Sequence, residues 1–115
     1  MSSKVAKIVA DIALEGQSAE ISSTTLYTPV AAGLFRLSGY IELGPSATTS
    51  TLAQSFWNDD FETGNAASMN ATTGTPGSFV KTIRVAAGQA ITFATFEGGS
   101  GLVLDYNLYL TLEEL

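Results

Sequence analysis

Cysteine and histidine are both absent from these 115 residues. Without cysteine there is no disulfide, no thiolate ligand and no sulfur nucleophile. Without histidine there is no imidazole base, no His-ligated zinc and no imidazole pH switch. Positive charge is also scarce: Lys4, Lys7, Arg36, Lys81 and Arg84 face eleven acidic residues, giving a net charge of −6. The five are scattered. Nucleic-acid binding draws on clustered basic residues that displace counterions, so no nucleic-acid partner is expected.

Charge of either sign is thin, at 14% of the chain, against roughly 25% in ordinary soluble domains. Hydrophobic residues, at 45%, are ordinary. The surface is therefore drawn from Ser, Thr, Ala, Gly and Asn, a composition that invites burial against other copies of the chain. No run approaches the roughly 18 apolar residues of a membrane helix, so no membrane partner is expected. Lys4, Lys7 and Asp11 interrupt Met1–Leu14, which removes the apolar core of a secretion signal. Synthesis in a cytoplasm is expected, with release by a route such as lysis. The length prior gives a single domain spanning 1–115, large enough to bury roughly two-thirds of its unfolded surface.

What is present is alternation. Leu102, Leu104, Tyr106, Leu108, Leu110 and Leu112 take every second position, which lines one face of a strand and would scatter around a helix. Further strands are predicted at Val5–Leu14, Leu26–Thr28, Leu34–Leu43, Thr51–Trp57, Ser78–Val85 and Ala90–Phe96, with a short one within Ala66–Ala71. Glu15-Gly16, Gly44-Pro45-Ser46, Pro76-Gly77, Ala87-Gly88 and Glu97–Gly101 supply the turns between them. This is the spacing of an all-β, two-sheet antiparallel sandwich.

Several strands are apolar on both sides. Leu34–Leu43 sets Phe35, Leu37, Ile41 and Leu43 against Leu34, Arg36, Ser38, Tyr40 and Glu42, with Gly39 marking a bulge or a close backbone approach. Thr51–Trp57 sets Leu52, Gln54 and Phe56 against Thr51, Ala53, Ser55 and Trp57, so each row carries a large aromatic. The outer side of a solitary sandwich should be polar. Coverage by other copies is the expectation, with Leu34, Tyr40, Phe96 and Tyr109 as candidate interface residues and Met1–Leu14 as a strand or arm engaging a neighbour.

Chemistry is sparse. Asn58-Asp59-Asp60-Phe61-Glu62 is the acidic cluster. Its oxygens suit calcium, with Asp59, Asp60 and Glu62 as ligands, or a paired-carboxylate site. The spacing lacks the Asp-x-Asp-x-Asp-Gly pattern of calcium loops, and a solvated acidic turn explains the residues equally. Trp57, Phe61, Tyr27, Tyr40 and Tyr109 offer rings for sugar stacking; Trp57, Asn58, Phe61 and Asn65 are the candidate contact residues, and core or interface packing is the competing explanation. Gly98, Gly99 and Gly101 lie between strands rather than before a helix, so they form a hairpin and not a phosphate cradle. No nucleophile has a base partner at a readable spacing, and neither an enzyme nor a cofactor is expected.

Two segments carry a resemblance. Leu26-Tyr27-Thr28-Pro29-Val30-Ala31-Ala32-Gly33-Leu34-Phe35-Arg36-Leu37-Ser38-Gly39-Tyr40-Ile41 is similar to the first signature of small jelly-roll domains in bacteriophage and prophage fibre or capsid-surface proteins. Ile83-Arg84-Val85-Ala86-Ala87-Gly88-Gln89-Ala90-Ile91-Thr92-Phe93 resembles their second signature, and Tyr106–Glu113 their closing strand. The same segments more distantly resemble the trimeric globular heads of the complement and tumour-necrosis-factor superfamily. The resemblance implies a jelly roll, a homotrimer and a virion location, with capsid or fibre proteins or a host-surface glycan as partners. A carbohydrate-binding module and a self-assembling extracellular filament subunit are the alternatives.

Overall fold

The computed structural model describes residues 5–99 and 102–115. Met1 to Lys4 of the expected arm, and Ser100 and Gly101 of the glycine hairpin, lie outside the described residues. Eight strands are present: β1 Lys7–Gln17, β2 Thr24–Tyr27, β3 Gly33–Leu43, β4 Thr51–Trp57, β5 Asn65–Ala71, β6 Gly77–Val85, β7 Ile91–Glu97 and β8 Tyr106–Glu114. They form two four-stranded antiparallel sheets, ordered β1-β8-β3-β6 and β2-β7-β4-β5. The chain is thus an all-β, two-sheet antiparallel sandwich, and its strand order is compatible with a jelly roll.

The last strand begins later than the alternation implies. Leu102 to Asp105 pair irregularly with the loop before β4: the Gly44 amide donates to the Asp105 carbonyl at 2.8 Å and the Thr48 amide to that of Val103 at 3.0 Å. Leu104 is buried, but Leu102 and Val103 are exposed. From Tyr106 onward β8 lies between β1 and β3, and its inward row of Tyr106, Leu108, Leu110 and Leu112 is almost wholly buried. A strand with hydrogen-bonded neighbours on both sides and an aliphatic inner face is the natural keel of its sheet.

The core divides along the length of the sandwich. One cluster joins Ile41, Met69, Phe93, Tyr106, Leu108 and Leu110. The other joins Phe35, Leu37, Trp57, Ile83, Ile91 and Leu112. The long β1 and β3 stretch the molecule to 53 × 25 × 16 Å, with a radius of gyration of 15.1 Å, above the roughly 13 Å of a rounder chain this size. Gly39 lies opposite Phe79 on β6. No bulge forms there, because β3 keeps unbroken register with both β6 and β8. A Cβ at Gly39 would collide with the Phe79 ring and the Met69 methyl, so glycine serves the close approach.

Candidate functional site

The outward rows of the two sheets differ in kind. On β1-β8-β3-β6, charged and polar side chains pair across strands. Arg36 Nη1 donates to Glu113 Oε1 at 3.5 Å, Thr111 Oγ1 to Asp11 Oδ1 at 3.1 Å, and Asn107 Nδ2 to Glu42 Oε1 at 3.1 Å. Tyr40 and Tyr109 face each other with ring centroids 6.1 Å apart. Both phenol pKa values are raised, first by partial loss of water and then by carboxylates, Glu42 for Tyr40 and Glu15 and Glu42 for Tyr109.

On the other sheet, the outward rows of β4, β5 and β7 carry no charged side chain. β4 turns Thr51, Ala53, Ser55 and Trp57 inward, where all four are buried, and Leu52, Gln54 and Phe56 outward. Register then groups three rows: Asn70–Leu52–Phe96, Ser68–Gln54–Ala94 and Ala66–Phe56–Thr92, with Thr25 beside Thr92. This reverses ordinary amphipathicity, since hydroxyls lie inside and a leucine and a phenylalanine outside. Ser55 Oγ donates to the Thr92 carbonyl at 2.8 Å, while Thr51 Oγ1 is buried without a partner. Beside β7 an open groove of about 560 Å³ runs past Ile21, Phe56, Ala94 and Phe96, with the Glu20 carboxylate at its margin.

The segment edging that groove is pinned from within. Ile21 and Thr95 exchange bonds: the Thr95 amide donates to the Ile21 carbonyl at 2.9 Å, and the Ile21 amide to Thr95 Oγ1 at 2.7 Å. The Tyr106 hydroxyl donates to the Ala19 carbonyl at 2.7 Å and lies 2.7 Å from Thr95 Oγ1. With its one hydrogen directed at Ala19, Tyr106 accepts from Thr95. Burial raises the Tyr106 pKa, so the phenol stays protonated and the chain of bonds is complete.

The acidic cluster is a locked turn after β4. Asp59 Oδ1 accepts the amides of Phe61 at 2.7 Å and Glu62 at 2.6 Å. Those N–H groups, Glu62 first, hold the Asp59 carboxyl below the usual carboxylate range. Asp60 Oδ2 accepts from Arg84 Nη2 at 2.7 Å. Asn58 Oδ1 accepts the Gly64 amide at 2.8 Å, Asn58 Nδ2 donates to Gln89 Oε1 at 3.2 Å, and Asn65 Nδ2 donates to the Glu62 carbonyl at 3.3 Å. Asp59 and Asp60 therefore serve different partners, and no group of three or more acidic residues among the described residues converges to hold a metal ion.

The sugar-stacking set requires a correction. Trp57 is only 6% exposed; its ring packs in the core with Lys81 Nζ 5.8 Å from the centroid. It offers no free face, because the alternation that turns Leu52 and Phe56 out turns Trp57 in. Phe61, by contrast, is 87% exposed at the tip of the turn. Tyr27 is packed 6.0 Å from Phe35, far from the Tyr40–Tyr109 pair on the opposite part of the fold, so the five rings do not form one platform. The interface candidates also divide: Leu34, Tyr40 and Tyr109 lie on the charged face and Phe96 on the neutral one. Sequence reasoning did not single out Leu52 and Phe56 as the outward row of β4, although their row was legible, because periodicity does not say which row faces inward. No family model matches the chain, and no curated protein or solved structure matches it.

Proposed function

We propose that this chain is a non-enzymatic structural protein that acts by assembling with copies of itself. The observation that carries the reading is the neutral outer face built on β4, where Leu52, Phe56 and Phe96 point away from the core. In a chain of net charge −6, such a face is where two copies meet with least repulsion and remove apolar area from water, worth about 25 cal/mol per Å². Apolar surface in one continuous patch marks an interaction site. The acidic turn is in keeping with the non-enzymatic part: Asp59 holds a turn and Asp60 an ion pair, so these two carboxylates are engaged separately.

The finer reading is a jelly-roll homotrimer in a phage-like particle, decorating a capsid or forming part of a fibre. Its support is the sequence resemblance together with the strand order. Loops at the two ends of the elongated body would then meet the lattice or a host surface, with the exposed Phe61 and Val30 as apolar contacts.

Sedimentation velocity across micromolar concentrations tests the assembly. Wild-type protein is expected to sediment as an oligomer, and Leu52→Glu/Phe96→Glu as a folded species of fewer subunits. A monomeric wild type at every concentration would end the reading.

A further inference from the structure

We infer that the free edge of β5 pairs with the β5 edge of a second copy, antiparallel about a twofold axis near Ala67. The inference rests on the self-assembly reading and names a contact within it. Each sheet has two edges, and three of the four carry features that discourage pairing with another chain. β1 has Lys7, Asp11 and Glu15 and shifts register twice against β8. β6 carries Lys81 and Arg84. β2 is only four residues long and shifts register against β7.

β5 has none of these. Its sequence, NAASMNA, contains no charge, proline or glycine, and all seven residues keep unbroken register with β4. Among the described residues β4 is its only hydrogen-bonded neighbour strand, so along its other side it presents an extended backbone to pair. Alanine and asparagine have weak strand propensity, yet all seven positions pair with β4, and the small side chains place little bulk beside a neighbouring strand. The end near Asn70 is less accessible, because Gly77 lies so close that a Cβ there would collide with the Asn70 carbonyl oxygen. That leaves Asn65–Met69, whose midpoint is Ala67.

Antiparallel pairing about Ala67 sets Ala66 of one copy opposite Ser68 of the other. It joins two four-stranded sheets into one of eight and continues the neutral outer face across the axis. A twofold contact of this kind is self-complementary and closes at two copies. It uses an edge rather than the outer face, so both contacts fit in one assembly.

Two measurements on the full chain test the pairing. Because the chain lacks cysteine, Ala66→Cys and Ser68→Cys each introduce a single thiol. Facing strand residues lie about 4.5–5.5 Å apart at Cα, within disulfide reach. Mild oxidation of the two variants mixed is expected to give a cross-linked heterodimer well beyond what either forms alone. Hydrogen exchange compared at high and low protein concentration is expected to slow roughly tenfold over Asn65–Met69 on association, as for amides gaining partners. An oligomeric sample with no preferential mixed cross-link and no concentration-dependent protection of β5 overturns the edge pairing while leaving self-assembly intact. A wild type that is monomeric throughout overturns both.

Discussion

The Tyr106 hydroxyl carries one hydrogen, and the Ala19 carbonyl receives it, while Thr95 donates from the other side. Removing that oxygen leaves the buried Thr95 hydroxyl without its acceptor and the Ala19 carbonyl without its donor, so Tyr106→Phe is expected to lower stability by about 1–3 kcal/mol. A urea midpoint equal to wild type would refute this. Gly39 poses the opposite problem. Added volume there meets the Phe79 ring and Met69, so Gly39→Ala should destabilise by about 1–3 kcal/mol through overpacking, read as a lower melting temperature. Asp59 ties a residue to pH. Its carboxyl is held below the ordinary range by amide donors, so its contribution to the turn is full above the unfolded carboxylate pKa, about 3.9. That contribution fades as pH falls through the lower folded value. Amide exchange at Phe61 and Glu62 should accelerate in that acid window and not near neutrality.

β4 shows most plainly where elements are legible and where they are not. Its bounds, Thr51–Trp57, agree with those read from alternation, as does the presence of a short strand inside the polar connection, β5. Period-two alternation separates two rows but does not order them, and here each row holds a large aromatic. Neighbouring strands decide the matter: Ser55 finds the Thr92 carbonyl, and Trp57 finds the Phe35–Ile91 cluster. The burial of Trp57, and with it the loss of the sugar platform, was hidden for that reason. β8 illustrates a different limit. Leu102 to Asp105 continue the alternation, yet their hydrogen bonds go to the 44–48 loop, a nonlocal preference that local pattern does not carry. The inverted face also leaves Thr51 Oγ1 buried and unpartnered. Thr51→Val is therefore expected to stabilise the fold by about 1 kcal/mol by removing an unsatisfied hydroxyl; a drop in the denaturation midpoint would mean the oxygen has an unseen partner.

For the whole molecule, charge is distributed unevenly: paired across one outer face, and on the other confined to Glu20 at the groove beside the uncharged strand rows. Association through the neutral face should therefore persist or strengthen as salt rises from low to about 1 M, where the Debye length shrinks to about 3 Å and repulsion between acidic copies is screened. Weakening with salt, measured by sedimentation, would instead assign the contact to ion pairs on the other face. The two core clusters occupy successive lengths of an elongated body and meet at Leu26 and Phe79, and the chain has one tryptophan. Trp57 belongs to one cluster, with the Lys81 ammonium over its indole; the Tyr106 network belongs to the other. Indole emission thus watches a single end of the sandwich, whereas circular dichroism averages over both. Superimposed melting curves would mark the two halves as one cooperative unit, and separated curves would identify which half lets go first.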